Sequence, residues 1–320
     1  MASTPSTSST SSLLDQHIAY AEKLVARGGP APDEYGAFRD WLSHIAKQYR
    51  SESLTEDDLD TLREAFGDAL TDITLQGFCY QKPHGHAGDF EIIDRLYTEH
   101  VTDDNVHRRW DLFLQTRPAA EAIRNRKAYF IRLIEALTRA FPDRELLPIL
   151  NLASGPARDV LEFFQSNDNR AVHFECIDND ADAIAYARDL CAPYLNWITF
   201  HKRNALRYNT DTPFQLIWSA GLFDYLSDKG FEFLLEHMLG LLRDDGELVV
   251  GNFSPNNPSR NYMEVMTDWH LHYRTEQQLI ELAMRCGVAE ENVRVGIEPE
   301  GINYFLHIKR GDDFLPMGTL

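Results

Sequence analysis

Residues 149–163 read ILNLASGPARDVLEF, an apolar run, a short loop of small residues and then apolar residues at helical spacing. The pattern predicts a strand, a tight turn and a helix. Gly155 can adopt a positive φ, and the small residues Ala153 and Ser154 let a ligand approach the backbone closely. Asp159 suits the positive end of the following helix. A nucleotide-type ligand is held in this way at the first βα turn of an open α/β sheet.

A second predicted strand places an acidic residue at the distance that such a site requires. Val172 to Ile177 reads as a strand that ends at Asp178, 23 positions after Gly155 (178 − 155). An acidic residue about 20 positions beyond the turn is placed to accept hydrogen bonds from ribose hydroxyls. The alternative is an ordinary βα turn in some other α/β protein, and the position of Asp178 argues against it.

The loop followed by Asp178 resembles the cofactor site of class I S-adenosylmethionine (SAM) dependent methyltransferases. The family pattern has an acidic residue and three glycines at the positions held here by Asn151, Ala153, Gly155 and Ala157. Only one glycine is present, and Asn151 can hydrogen-bond the amino-acid end of SAM without supplying a charge. The resemblance implies a Rossmann-like sheet with helices on both faces, and SAM as the cofactor, with S-adenosylhomocysteine (SAH) as its product.

The later strands extend this prediction. Asn204 follows a third predicted strand, where the family places a side chain against the adenine amino group; its side-chain oxygen can accept that hydrogen bond, or it can simply form a turn. The loop from Ser219 to Leu226 follows the fourth predicted strand and should line the pocket. The expected cofactor-binding residues are Asn151, Ala153, Ser154, Gly155, Asp178, Asn179, Asn204, Ala205, Ser219 and Gly221.

Composition limits the partners. The 320 residues carry 31 basic and 50 acidic side chains, a net charge of −19, which repels phosphate backbones and anionic membranes. We therefore expect a small-molecule acceptor rather than nucleic acid or a membrane. Four scattered cysteines predict reduced packing residues, and no apolar run approaches the length of a membrane span. The sequence predicts a cytoplasmic monomer or homodimer.

The N-terminal half is predicted to be helical. Residues 1–12 are almost wholly Ser, Thr, Pro and Ala, which predicts a disordered tail. Helices are expected from Leu13 on, at Asp33 to Tyr49 and at Thr55 to Leu70. We assign residues 13–142 to a helical cap or substrate domain and residues 143–320 to the SAM-binding domain.

The loop QKPHGHAGDFEIID, residues 81–94, concentrates polar groups on a backbone bent by two glycines and a proline. One interpretation is a helix-entry loop with Asp89 as N-cap. The other is a lid over the SAM site or the substrate, with His84 and Asp89 as functional side chains.

Arg124-Asn125-Arg126 lies in the first turns of a long predicted helix that follows Pro118. Charged residues on a helix usually form a solvated face. The alternative is that one arginine turns inward to a carboxylate of the ligand or of the protein.

The loop from His84 to Asp94, these arginines and the SAM turn together resemble the methyltransferase part of bacterial proteins for biosynthesis of 3-hydroxypalmitic acid methyl ester. The similarity runs from about Leu70 to the end of the chain. It implies a carboxylate of a hydroxylated fatty acid as the methyl acceptor.

Acceptor recognition is expected in the polar and aromatic segment 252–274 and in the loops described above. The candidate substrate-binding residues are Asp89, Arg124, Arg126, Phe223, Arg260, Tyr262 and Trp269, with Arg274 as a further donor for a carboxylate. The candidate bases or positioning residues are His84, Tyr225, His270 and Tyr273. His270 and His272 lie two positions apart, but no third ligand has suitable spacing, so no metal site is predicted.

The predicted function is SAM-dependent methyl transfer to an oxygen or nitrogen of a small polar acceptor, in secondary or signal metabolism. A first alternative is carboxyl O-methylation of a 3-hydroxy fatty acid. A second, of another class, is a SAM-binding regulatory module that transfers nothing. An NAD-dependent oxidoreductase is less favoured, because a pyrophosphate needs several glycines at the helix start and this turn has one.

Overall fold

The structure, a computed structural model, describes residues 7–168 and 170–317, with side chains from residue 13. The helices are α1 (Thr7–Val25), α2 (Tyr35–Arg50), α3 (Glu56–Glu64), α4 (Leu75–Gln81), α5 (Phe90–Tyr97), α6 (Arg108–Gln115), α7 (Pro118–Ala140), α8 (Arg158–Ser166), α9 (Ala181–Leu190), α10 (Asp228–Gly240), α11 (Arg260–Thr267) and α12 (Glu276–Arg285). The strands are β1 (Leu147–Leu152), β2 (Val172–Asp178), β3 (Ile198–Lys202), β4 (Phe214–Ser219), β5 (Leu242–Phe253), β6 (Val293–Ile297) and β7 (Asn303–Lys309).

The chain forms two compact units. Unit 1 comprises Met1–Ala120 with Pro258–His270, and unit 2 comprises Glu121–Asn257 with Leu271–Leu320. Unit 1 is built from helices, and unit 2 contains the sheet. The boundaries predicted at residues 12 and 142 stay predictions. No helix in the described part of the chain combines the length and the apolar character needed to cross a bilayer.

Unit 1 packs around buried aromatic rings. Phe38 contacts Trp110 and Phe113 edge-on, with ring centroids 5.9 and 4.9 Å apart. Helix α11 belongs to this packing, because the buried Arg63 donates to the carbonyl oxygens of Val265 and Glu264 at 2.9 and 3.1 Å. The segment predicted as a polar acceptor loop therefore contains a helix that is integral to the helical unit.

Local backbone requirements explain where the helices differ from the sequence predictions. Thr55 caps α3 at the predicted helix start, but the helix ends before the predicted Leu70, and Gly67 takes a φ of +48° beyond its end. Helix α4 was not predicted. Helix α1 begins at Thr7, inside the predicted tail, and extending an existing helix costs little. Residues 1–6 of that tail lie outside the described residues.

The seven-stranded sheet of unit 2 has the order β3-β2-β1-β4-β5-β7-β6. The first five strands pair in parallel, whereas β7 runs antiparallel to both β5 and β6. This confirms the predicted Rossmann-like sheet, and β6 and β7 add an antiparallel hairpin at one edge. The strand order reverses between β1 and β4, and the carboxyl ends of the strands at such a point are where open sheets bind ligands.

Apolar layers cover both faces of the sheet. Phe130 of α7 packs with Phe174 and Trp218 on one face, and Phe231 of α10 packs with Ile217 on the other. Strands β1 and β4 are buried at every position, as expected for central parallel strands. Strand β5 begins at Leu242, and its register against β4 is irregular between the pairs Phe214–Leu242 and Leu216–Glu247.

A buried polar chain joins helix α7 to the sheet. The Tyr129 hydroxyl lies 2.6 Å from His307 Nε2, and His307 Nδ1 lies 2.5 Å from Glu247 Oε1. The second oxygen of Glu247 accepts from the Leu315 amide at 2.7 Å. Burial lowers the pKa of His307. The neutral imidazole thus links one helix, two strands and the C-terminal segment.

Gly251 marks the closest approach of the β5 backbone to the chain that follows β4. A Cβ at this position would lie 2.4 Å from the carbonyl oxygen of Ala220. We expect Gly251→Ala to lower the free energy of unfolding by about 2 kcal/mol or more, measured by urea denaturation. The control is Gly240→Ala in α10, where a Cβ meets nothing within 4 Å and a neutral or stabilising effect is expected. Equal urea-denaturation midpoints for the two variants would contradict a close contact between Gly251 and the Ala220 carbonyl.

Candidate functional site

The loop after β1 has the backbone conformation of a glycine-rich turn, although two of its three positive-φ positions are alanines. Ala153, Gly155 and Ala157 have φ values of +54°, +51° and +50°. These are the three positions at which the methyltransferase pattern has glycine. A left-handed conformation costs a non-glycine residue about 1 kcal/mol or more, so the surrounding structure holds the loop in this shape.

Asp178, at the end of β2, holds this loop. Its Oδ2 accepts from the Gly155 amide at 2.9 Å, and its Oδ1 accepts from the Asp180 amide at 3.0 Å. Burial raises the pKa of Asp178, and the two backbone donors oppose that effect. Each carboxylate oxygen keeps a further lone pair, so Asp178 can accept the ribose hydrogen bonds that the sequence predicts.

Two buried polar atoms of the loop region lack partners within the described residues. Asn151 is 2% exposed and Ser154 is 8% exposed. Asn151 Nδ2 and Ser154 Oγ make no hydrogen bond of good geometry there, although the Asn151 side chain has a minor lowering influence on the pKa of Asp159. Buried groups of this kind gain from a ligand that completes their hydrogen bonding. They fit the amino-acid end of SAM.

The predicted adenine contacts lie after β3. Asn204 is exposed, and its Oδ1 accepts from the Leu206 amide at 2.8 Å, which caps a short 3₁₀ turn. The turn-forming interpretation of Asn204 is therefore confirmed, and its contact with adenine stays a prediction. Asn179 is exposed beside Asp178, and Ala205 packs partly buried against the apolar layer that includes α10.

The loop after β4 meets an arginine from α7. Ser219 is buried, and its hydroxyl donates to the Leu152 carbonyl at 3.0 Å, which joins the ends of β1 and β4. A Cβ on Gly221 would lie 3.0 Å from Nη1 of Arg126. Arg126 is only 6% exposed, so it is the inward-turning arginine of the pair, whereas Arg124 bonds Glu121 on its own helix.

Arg126 interacts with two buried carboxyl groups that the sequence analysis did not assign to the site. Burial raises the pKa of Asp159 to about 6 and that of Asp224 to about 7, and the Arg126 charge opposes both shifts. Asp159 accepts from the Val160 amide, and Asp224 accepts from the Phe253 amide at 2.6 Å. The position of Asp159 directly after the loop was a usable signal; nothing in the sequence marked Asp224 as buried.

Arg274 is a structural anchor. It is 3% exposed, and it donates to Asn252 Oδ1 at 2.8 Å and to the carbonyl oxygens of Leu226 and Phe223 at 2.6 and 3.2 Å. Its guanidinium also bonds Asp228. Arg274 therefore uses its donors to hold the loop after β4, which leaves little capacity for an acceptor carboxylate.

The remaining candidates of unit 2 differ in exposure. Phe223 is fully buried and contacts Phe231 edge-on, with centroids 4.7 Å apart, so its ring belongs to the core. Tyr225 is 39% exposed in the same loop. Tyr273 is partly buried next to Arg274. Among these, Tyr225 has the most accessible ring.

In unit 1, the loop candidates surround the start of α5. Asp89 Oδ1 accepts from the Glu91 and Ile92 amides at 2.9 and 3.0 Å, which confirms Asp89 as an N-cap. Its Oδ2 is buried without a partner in the described residues, and burial raises the pKa of Asp89. His84 Nε2 lies 3.2 Å from Glu91 Oε2. The lid interpretation of this loop stays a prediction.

The candidates around α11 also lie in unit 1. Tyr262 is buried and donates to Gln76 Oε1 at 3.0 Å, and Trp269 is buried as well. Arg260 bonds Glu264 at 2.6 Å. His270 is exposed, 3.0 Å from Asp268. No cluster of three or more His, Cys, Asp or Glu in the described ranges is arranged to hold a metal ion.

The raised pKa of Asp224 predicts a pH effect on stability. Its pKa is about 7 when folded against an ordinary 3.8, so its contribution to stability is complete below about pH 4 and declines as the pH rises to 7. Between pH 5 and 8 that decline amounts to about 2–3 kcal/mol. We expect Asp224→Asn to reduce the loss of stability over this range, measured by urea denaturation. The exposed Asp244→Asn serves as control; the same pH dependence in both variants would contradict a protonated Asp224.

Part of the chain is similar to known methyltransferases, and its fold is shared with solved structures. Residues 149–246 match the sequence model of the methyltransferase-domain family. No curated protein has a sequence that matches the chain. A possible exported protein from Bordetella parapertussis is similar in structure over 96% of this chain and 99% of its own, with 20% identity and a TM-score of 0.57. Magnesium protoporphyrin IX methyltransferase from Synechocystis PCC 6803, solved with SAH, covers 72% of this chain and 97% of its own, with 13% identity and a TM-score of 0.52.

At these identities the structural likenesses establish the fold. The fold is the Rossmann-like class I methyltransferase sheet with a helical N-terminal region, as the sequence predicted. The resemblance to proteins of 3-hydroxypalmitic acid methyl ester biosynthesis stays a prediction. The match of residues 149–246 to the methyltransferase-domain family agrees with this fold, and the magnesium protoporphyrin IX methyltransferase that shares it was solved with SAH bound.

Proposed function

We propose that the protein transfers a methyl group from SAM to an oxygen or nitrogen of a small polar acceptor. One observation carries the proposal: the Asp178 carboxylate bonds the Gly155 amide of a loop that holds three positive φ values. This geometry leaves a carboxylate and a closely approachable backbone at the carboxyl ends of β1 and β2. The match of this region to a methyltransferase domain supports the same proposal.

Each part of the cofactor has candidate partners in unit 2. Asp178 would take the ribose hydroxyls, and Asn151 and Ser154 would take the amino-acid end with their unpaired buried atoms. The segment around Asn204 would lie beside the adenine. SAM supplies a methyl group on a positively charged sulfonium, which makes that carbon an electrophile. The task of the chain is then to orient an acceptor lone pair and to exclude water.

The charges near the loop after β4 favour an uncharged acceptor group. Arg126 already interacts with the buried carboxyl groups of Asp159 and Asp224. Arg274 is committed to the protein, and Arg124 and Arg260 are each paired with a glutamate. A nitrogen or hydroxyl acceptor does not need a free guanidinium. It needs a base only if it carries a proton, and His84, Tyr225, His270 and Tyr273 stay the predicted candidates.

Carboxyl O-methylation of a 3-hydroxy fatty acid remains the main alternative within this reaction class. A carboxylate is ionised at neutral pH and needs donors rather than a base. A regulatory module that binds SAM without transferring a methyl group is the alternative of another class.

We also propose a cytoplasmic location, supported by four free cysteines, and a monomer or homodimer.

Asp178→Ala tests the cofactor assignment. Loss of charge-assisted hydrogen bonds to two ribose hydroxyls should weaken SAM binding at least tenfold, as measured by calorimetric titration. Asp180→Ala is the matched control, because this carboxylate caps α9 through the Asp182 amide and has no assigned ligand contact. We expect the control to bind SAM as the wild type does. An unchanged dissociation constant in Asp178→Ala would remove Asp178 from the site.

The acceptor class is tested with labelled SAM and two sets of compounds. One set holds hydroxy fatty acids of graded chain length, and the other holds small nitrogen heterocycles and amino acids; methylated products are identified by mass spectrometry. We expect products from the second set. Methylation that improves steadily with chain length would support the fatty-acid alternative. SAM binding without any product would favour the regulatory module.

A further inference from the structure

Asn303 lies at the carboxyl edge of the sheet, on the side away from the ribose site. It begins β7 and pairs with Phe253, the last residue of β5. The order β2-β1-β4-β5-β7 puts Asn303 three strands beyond β1, while Asp178 lies one strand to the other side. Neighbouring strands are about 4.8 Å apart, so Asn303 is roughly 14 Å from the β1 end. If SAM lies over the ends of β1 and β2, the ends of β5 and β7 remain for the methyl acceptor.

The amide of Asn303 is completely buried and unpaired. Its side chain is 0% exposed, and neither Oδ1 nor Nδ2 has a hydrogen-bond partner among the described residues. Asn252, at the end of the neighbouring strand, is equally buried, but it donates to two carbonyl oxygens and accepts from Arg274. Burying both polar ends of an amide without partners is unfavourable. A bound molecule that completes the hydrogen bonds of Asn303 would remove this cost.

The backbone that carries Asn303 is fixed. Glu298, 2% exposed, accepts from the Asn303 and Ile302 amides at 3.0 and 2.8 Å through one oxygen. Its other oxygen accepts from the Asn125 side chain of α7 at 2.9 Å. Arg126, which follows Asn125 in α7, lies against Gly221 in the loop after β4. A buried carboxylate therefore holds the start of β7 against the helix that also reaches the cofactor loop region.

The side chain of Asn303 belongs to the face of the sheet covered by α7. Side chains alternate along a strand, so Asn303 shares a face with Phe305 and His307. Tyr129 of α7 stacks on Phe305, with centroids 3.9 Å apart, and bonds His307. Asn151, the unpaired asparagine of β1, lies on this same face, since it alternates with Ile149 of the same core cluster.

We propose that Asn303 recognises one edge of the methyl acceptor. On this edge of the acceptor molecule an N–H donor lies next to a carbonyl oxygen or a ring nitrogen. Lactams, amides and amino-substituted heteroaromatic rings present such an edge. The inference rests on the proposed function and narrows its substrate class. An asparagine amide pairs with this edge through two hydrogen bonds, whereas an ionised carboxylate offers acceptors only and would leave Oδ1 unpaired.

The Asn303 side chain is closed to solvent in this structure. Binding at this position therefore requires a local opening, and an acceptor that pairs both polar atoms would offset the cost of that opening.

The first test needs no ligand. Replacing both unpaired atoms by an apolar group of similar size is expected to be nearly neutral or stabilising, so Asn303→Leu should melt within about 2 °C of the wild type or above it. The control Asn252→Leu, which breaks three hydrogen bonds, should melt well below both. Asn303→Ala serves as a second variant if leucine is too large. A loss in the Asn303 variants as large as in Asn252→Leu would show that a buried water or the protein satisfies the amide, and would overturn the proposal.

The second test uses defined probes on protein saturated with SAH. We add 2-pyridone, uracil or benzamide, which carry the proposed edge, and benzoate or 3-hydroxybutyrate, which do not, each at 10 mM. At least one of the first three should raise the melting temperature of the wild type by about 2 °C or more, and this shift should vanish in Asn303→Leu.

Each other outcome counts against the proposal. No shift with any edge probe, a shift that survives in Asn303→Leu, or a shift confined to the carboxylates would overturn the assigned chemistry. SAH titration distinguishes failure of the Asn303 proposal from failure of the proposed function. SAH should bind Asn303→Leu as tightly as it binds the wild type. If SAH does not bind the wild type at all, the proposed function itself is wrong.

Discussion

The hydrogen bond between the Gly155 amide and the Asp178 carboxylate is the contact on which the site depends. It joins the loop after β1 to the end of β2, and it opposes the effect of burial, which raises the pKa of Asp178. The loop can then hold Ala153 and Ala157 in a conformation that glycine normally supplies. The surrounding structure holds the two alanines in this strained conformation.

Buried charge in unit 2 is organised around two arginines with different tasks. Arg274 binds carbonyl oxygens and Asn252, and so fixes the loop after β4 as a rigid element. Arg126 instead faces Asp159 and Asp224, two acids whose raised pKa values lie near neutrality. Arg274 therefore holds the fold, whereas Arg126 opposes the effect of burial on two acids.

Some buried polar groups without a partner in the described residues lie at the carboxyl edge of the sheet, whereas others, such as Asp89 Oδ2 and Trp110 Nε1, lie in the helical unit. Asn151, Ser154 and Asn303 are all buried at the carboxyl edge with unpaired atoms, whereas Asn252 at the same edge is fully bonded. A protein interior usually pairs such groups, so each unpaired group at the ligand edge is a candidate for a ligand contact. Polar atoms left unpaired on the β1 side fit a cofactor, and those on the β7 side fit a second molecule.

The sequence by itself determined the α/β alternation, the strand that ends in the small-residue loop, and the position of Asp178, because these follow from local apolar periodicity and from spacing along the chain. It also placed a helix start at Thr55 and offered Asp89 as an N-cap, and both residues form local capping hydrogen bonds. Only the tertiary structure decided that Arg126 turns inward, that Arg274 is an anchor, that Asp224 is buried, and that Asn303 comes to the ligand edge. Those outcomes depend on contacts between residues from about 20 to more than 170 positions apart, and no local pattern encodes which side chains such packing will bury.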